Sequence, residues 1–213
     1  MSSMKLLEIK LEIDSIIIGE RVKGGIFRPC QEIIPSSTIE GSLRHCFGIE
    51  VHAVGFFEEG TYMFDEFIYS VKDKFLNISK IPIFTTYLRP KNNIRKIRAI
   101  ILMPLNNGTL INKLKGSVFQ IGALKSKGFG KSKILEVKEI ESKIIQGILK
   151  IKLFKKECNI FGIKEVSPIY GYIFRPDKFS IGGTYEKSLF PGSIVEAPKV
   201  LLKEETFYDE YNR

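Results

Sequence analysis

The stretch Met4-Lys5-Leu6-Leu7-Glu8-Ile9-Lys10-Leu11-Glu12-Ile13-Asp14 decides the architecture. Leu7, Ile9, Leu11 and Ile13 alternate with Glu8, Lys10, Glu12 and Asp14. An extended chain therefore puts the apolar side chains on one face and the charges on the other. That period predicts a half-buried strand over residues 4–14 in an antiparallel sheet, whose second face can meet water.

Beyond this strand lies a loop with Gly19, Gly24, Gly25 and Pro29, among which stand Arg21, Lys23 and Arg28. Pro35-Ser36-Ser37-Thr38-Ile39-Glu40 then announces a helix. Ser37 and Glu40 have capping-box spacing, and the helix is expected from Thr38 to Phe47, stopping at Gly48. Ile39, Leu43 and Phe47 give it a buried stripe, and Arg44 and His45 fall in its last turn, where the helix dipole favours cations. Apolar-aromatic runs follow at 49–57, 61–71, 81–88 and 97–105, and Ile97 to Pro104 reads as a central strand closed by its proline. Leu110 to Lys115 suits a short second helix. Residues 133–140 and 143–154 read as two β-rich runs, 168–198 as turn-rich, and 204–213 as a peripheral acidic-aromatic end. The sum is an α+β fold with much antiparallel sheet.

Composition narrows the function. The 213 residues are 44% hydrophobic and 27% charged, enough apolar content for a sizeable core. Lys plus Arg number 33 against 24 acids, a net charge of +9 with a pI near 9.3, which favours an anionic partner. No run approaches the 18–20 apolar residues of a membrane-spanning helix, and the alternating start is unlike a signal peptide, so no membrane association is expected. Cys30, Cys46 and Cys158 are odd in number and form no CxxC, arguing against disulfides and a cysteine-based zinc site. They are expected to behave as small hydrophobes. His45 and His52 stand without a ligand cluster in the sequence; neither metal nor cofactor is expected, and the reducing cytoplasm is the expected compartment.

Two segments could carry chemistry. In Gln120 to Lys133, Gly122, Gly128 and Gly130 share a short stretch with Lys125, Lys127, Lys131 and Lys133. Glycines allow backbone amides to approach an anion closely, and lysines hold phosphates as point charges. The spacing is not that of a Walker A loop or a dinucleotide fingerprint. The alternative is a basic hairpin loop whose glycines serve only the turn. The second segment is the helix start at 35–44. Its amides and hydroxyls suit an anion, although Ser37 and Glu40 are also explained as a cap and Gly41 as a packing point.

Together they resemble a known family. Pro-Ser-Ser-Thr-Ile-Glu-Gly-Ser-Leu-Arg at 35–44 is similar to the helix start of the CRISPR-associated RAMP superfamily. Ile121-Gly122 with Lys127-Gly128-Phe129-Gly130 is similar to its glycine-rich loop, hydrophobic-G-x(5)-G-aromatic-G. The order of strand, helix and loop agrees as well, and the resemblance covers about residues 4–140.

The resemblance implies a ferredoxin-like (RRM-like) core over 1–140 and a β-rich C-terminal region over 141–213, either a second partial ferredoxin-like unit or a decoration. It makes Gly122, Lys125, Lys127, Gly128, Gly130 and Lys131 guide-RNA contacts. Ser36, Ser37 and Arg44 become helix-terminus contacts or packing residues, and Lys23, Arg28 and Lys133 extend the basic surface. Phe129 is implied as a stacking or wedge residue or simply core, and Phe27 and Tyr172 are further stacking candidates. The tail after the loop, with Tyr170 to Pro176 and Tyr185 to Ser193, is similar to that of subunits capping the guide's 5′ end in type III effectors. The loop at 15–34 offers only Glu20 and Glu32 where target-cutting backbone subunits use an aspartate.

A metal-independent ribonuclease needs a base, an acid and a cation at the scissile phosphate. Only His45 and His52 are histidine candidates. His45, at a helix end, is equally a dipole partner, and His52, between Val51 and Ala53, is expected to face away from the core. The expected function is thus a non-catalytic CRISPR RNA-binding subunit of a multi-subunit effector in antiviral defence, partnered by CRISPR RNA and other effector subunits. The alternatives are an endoribonuclease processing precursor CRISPR RNA and a basic binding module unrelated to CRISPR.

Overall fold

The first strand forms as its alternation requires. In the computed structural model, which describes residues 3–19, 26–71, 75–76, 78–79, 81–105, 114–177 and 182–203, β1 spans Ser3–Ile13. In chain order there follow β2 (Phe27–Arg28), β3 (Ile33–Ile34), α1 (Ser36–Phe47), β4 (Val54–Phe57), β5 (Tyr62–Tyr69), β6 (Ile83–Pro90) and β7 (Ile97–Pro104). Then come β8 (Val118–Gln120), β9 (Lys131–Ile148), β10 (Leu153–Phe154), β11 (Lys164–Ser167), β12 (Tyr170–Pro176), β13 (Gly183–Leu189) and β14 (Ile194–Pro198). The architecture is mostly antiparallel sheet with one α-helix among the described residues.

The main sheet runs β11-β14-β9-β1-β7-β4-β3, with β8 paired to β9. β1 lies between β7 and β9, antiparallel to both, and β7 is central as its composition predicts. The register sets Leu7, Ile9, Leu11 and Ile13 opposite Met103, Ile101, Ala99 and Ile97. These residues pack against Ile39 and Leu43 of α1. The opposite face of β1 is less uniform than the alternation suggests. At one end Leu6, with Leu102 and Val54, is buried in a second cluster built by residues after 148. Farther along, the charges face one another as cross-strand pairs, Lys138–Glu8 at 3.1 Å and Lys10–Glu136 at 2.9 Å. The C-terminal region thus covers one end of the sheet's second face.

Two local expectations are corrected. The runs at 133–140 and 143–154 are not separate strands: β9 continues without a break from Lys131 to Ile148, pairing first with β1 and then with β14. Gly147 lies within it because Leu202 presses against the backbone there; a Cβ would stand 2.9 Å from Leu202 Cδ1. The only irregularity against β1 is a register shift between Lys10 and Leu11, where Lys10 faces Glu136 and Leu11 faces Ile134.

The helix starts two residues earlier than expected and without the capping box. Pro35 is its N-cap, with no side-chain hydrogen bond, and the Ser36 amide donates to the Lys152 carbonyl at 3.0 Å. A bridge from Pro35 to Lys152 brings that carbonyl to the helix start. Glu40 turns instead to the loop, where its Oε1 accepts from the Ala53 amide at 3.3 Å. The other end follows expectation: Gly48 adopts φ 69°, and its amide donates to the Arg44 carbonyl at 2.9 Å. Residues 110–113 of the expected second helix, and the 204–213 end, lie outside the described residues.

Helix and sheet meet closely at Gly55. A Cβ there would stand 2.7 Å from the Ile100 carbonyl oxygen and 2.9 Å from Ile39 Cδ1. Ile39 can give way, but the neighbouring strand's backbone cannot without loss of pairing. Gly55→Ala is therefore expected to cost about 2 kcal/mol, within the usual range for core overpacking. Urea unfolding should show it as a lower midpoint with an unchanged slope.

Candidate nucleic-acid interface

The glycine-rich segment joins β8 to β9. Its centre is a single 3₁₀ turn, Lys125–Lys127, entered through Leu124 at φ 51° and left through Gly128 at φ 94°. The turn is fastened to the chain just after β1. The Ala123 amide donates to the Ile17 carbonyl at 2.8 Å and the Gly130 amide to the Ser15 carbonyl at 2.7 Å. The Ile121 amide donates back across the loop to the Gly130 carbonyl at 2.9 Å, while the Lys127 and Gly128 amides close the 3₁₀ turn. These five amides are spent inside the protein, so they form no anion cradle. Gly130 is where the chain cannot carry a side chain: at φ 80°, a Cβ would lie 1.9 Å from the Ile121 carbonyl oxygen.

What the loop offers a ligand is therefore its lysines. Lys127, Lys131 and Lys133 are exposed and Lys125 is half-buried. Lys131 and Lys133 share one face of β9 because Ser132 between them is buried, its hydroxyl donating to the Gly130 carbonyl at 3.0 Å. Among the described residues, none of the four forms an ion pair. Four cations held on a short, internally satisfied scaffold are suited to phosphate groups, which they contact without reading bases.

Phe129 is core rather than a free stacking platform. It is buried edge-on against Phe67, with ring centroids 5.0 Å apart, and against Tyr87 at 5.2 Å. Phe67 and Tyr87 belong to the β5–β6 hairpin, which with β2 forms a separate three-stranded sheet, so Phe129 ties the loop to that hairpin. Phe27 and Tyr172, the other two stacking candidates, are exposed at 55% and 67%. Tyr172 lies on the β12–β13 hairpin, beside a surface where Lys187 sits 3.8 Å over the Tyr170 ring. The lysines of this cation–aromatic surface were not singled out by the sequence, because Lys155 and Lys156 lie about thirty positions from Lys187 and only the fold brings them to the same hairpin.

The remaining predicted residues are placed unevenly. Arg28 is exposed on β2, and Arg44 and Ser37 are half-buried on α1. Ser36 is fully buried at the helix start against the 152 segment, which makes it a packing residue rather than a surface contact. Lys23 lies outside the described residues. Cys30 and Cys158 are buried free thiols, and burial pushes both up to about 11, as expected for small hydrophobes. Cys46 departs from that expectation: it is exposed on the last turn of α1, off the Ile39–Leu43 stripe.

The histidines differ in setting. His45 is exposed on the last turn of α1. His52 is engaged: its Nδ1 lies 3.1 Å from Glu157 Oε1 and 3.6 Å from Glu40 Oε1. Sequence reading missed this cluster because Glu157 is 105 residues away and only the fold brings it near. Burial, and then the charge of Glu157, push the Glu40 carboxyl up to about 8.

No protein-family profile matches the chain, and no curated protein matches it. Among solved structures it is similar to a chain of the cryo-EM structure of the type III-B Cmr-beta bound to cognate target RNA, with a TM-score of 0.59 and 14% identity over 90% of this chain and 86% of that one. In the structure of Cmr-beta bound to cognate target RNA and AMPPnP, a chain matches with a TM-score of 0.58 and 12% identity over the same shares. At such identities the likeness is one of fold. The fold defined by the sheet and its single described helix is thus shared with a chain of the type III-B Cmr-beta structures.

Proposed function

We propose that this chain is a non-catalytic CRISPR RNA-binding RAMP subunit of a multi-subunit, type III effector complex in antiviral defence. The observation that carries the reading is the placement of four lysines on the glycine-rich loop within a fold shared with a Cmr-beta chain. The strand order β9-β1-β7-β4, with α1 between β1 and β4, supports a ferredoxin-like (RRM-like) core, in which β9, the last strand of the four, follows the loop. The region from about 141 then serves as the β-rich extension. Its partners are CRISPR RNA and neighbouring effector subunits, and the cytoplasm is its setting. No helix among the described residues is long and apolar enough to cross a membrane.

The surroundings of His52 favour binding over cleavage. Its Nδ1 faces the buried Glu157 carboxylate at 3.1 Å, an anion where metal-independent cleavage needs a side-chain cation to stabilise the phosphorane. Purified protein incubated with labelled CRISPR repeat RNA in EDTA, run on native and denaturing gels in parallel, tests the reading. A retarded band with intact RNA is expected. A discrete cut, lost in His45→Ala or His52→Ala, would make the protein a processing nuclease instead.

A further inference from the structure

We propose that Glu40, His52 and Glu157 form a binding site for one divalent transition-metal ion, with Zn²⁺ as its chemical type. Each residue offers one ligand atom, and these atoms lie within 4.8 Å of one another. The distances from His52 Nδ1 to the two carboxylate oxygens, 3.1 and 3.6 Å, bracket the separation of about 3.3 Å between ligands of a tetrahedral ion with bonds near 2.0 Å. One imidazole and two carboxylates make a donor set for a borderline metal, harder than a thiolate site and softer than an all-oxygen one.

A second observation points to a missing cation. Glu157 is fully buried, and while its Oε1 faces His52, its Oε2 has no hydrogen-bond partner. A buried carboxylate oxygen without a donor is costly unless a cation faces it. The imidazole cannot supply both needs. Its Nδ1 carries at most one proton, and that position faces Glu157 Oε1, leaving Oε2 without a donor. The cations on adjoining elements are committed elsewhere: Arg175 and Lys156 to Glu186, and Lys155 to Tyr170 and Glu165. His52 is 45% exposed, which leaves an entry path and room for a water as fourth ligand.

The position gives the ion a structural role. Glu40 comes from α1, packed in the first hydrophobic cluster, and Glu157 from the 3₁₀ turn Lys155–Glu157, next to Cys158 of the second. A bound ion would clasp the two clusters at a point where a histidine now stands between two acids. The inference stands apart from RNA binding, and neither depends on the other.

Calorimetric titration of the full chain, freed of metal, with Zn²⁺ tests it. One ion per chain is expected, with a rise in melting temperature at saturation. His52→Ala and Glu157→Gln should each weaken binding by about 100-fold or more, beyond the usual cost of losing an outer-shell partner. The double variant His45→Ala with Cys46→Ser should bind as the wild type does, since those exposed residues are the competing zinc ligands. Co²⁺ substitution should give tetrahedral d–d bands without a thiolate charge-transfer band. His52→Ala removes only a half-exposed ring, so it decides the matter should Glu157→Gln fail to fold. Absence of Zn²⁺ binding by the wild type, binding indifferent to His52→Ala, or binding lost with His45 and Cys46 would each overturn the site.

Discussion

Gly130→Ala is expected to destabilise the protein by about 3–4 kcal/mol, roughly 10 °C in melting temperature for a chain of this size. Two costs add. A residue with a Cβ at φ 80° pays about 1–2 kcal/mol for the left-handed conformation. The new Cβ would also overlap the Ile121 carbonyl oxygen at 1.9 Å, forcing open the pair in which the Ile121 amide donates to Gly130. Gly128→Ala is the matched control. Gly128 has φ 94° but nothing within 4 Å of a Cβ, so only the conformational cost of about 1–2 kcal/mol applies. Urea unfolding of the two variants should separate them clearly. Equal losses would mean that the close approach of Ile121 and Gly130 is not what holds the loop.

That contrast bears on what was legible in the sequence. Glycines in a lysine-rich stretch suggest amides presented to an anion, yet the structure uses the amides of Ala123 and Gly130 to fasten the loop to Ile17 and Ser15. Such partners lie over a hundred positions away, and no local pattern carries them. Elements set by local period were readable. The alternation in 4–14 gave β1 and its core face, and Gly48 gave the end of α1. Where a tertiary partner competes with a local one, local reading failed. Ser37 and Glu40 have capping-box spacing, but the Lys152 carbonyl takes the Ser36 amide and the Ala53 amide takes the Glu40 carboxylate. The two runs at 133–140 and 143–154 form one strand because β9 finds β1 and then β14 as partners, which no local pattern names. The Glu40–His52–Glu157 cluster was hidden because it exists only once α1 and the 155–157 turn are packed together.

Replacing Lys125, Lys127, Lys131 and Lys133 together by alanine is expected to produce the largest loss of RNA binding available from this surface. Each phosphate contact to a single strand contributes about 0.7 to the logarithmic salt slope, or about fivefold in affinity at 0.1 M salt, so four contacts amount to about 600-fold. The pair Lys125→Ala with Lys127→Ala should cost about 25-fold on the same arithmetic. Folding should be spared. Three of the four side chains are exposed, and none is in an ion pair among the described residues. Far-ultraviolet circular dichroism and the urea midpoint would check this before binding is read.

The most direct test of the central claim is the affinity of the wild-type chain and of the fourfold lysine variant for the same labelled CRISPR repeat RNA, in EDTA, across a series of salt concentrations. A steep wild-type slope, a variant slope shallower by about 2.8, and RNA that remains uncut are expected. Parallel slopes for the two proteins, or no measurable affinity of the wild type at low salt, would contradict the assignment of this loop as the RNA-gripping surface.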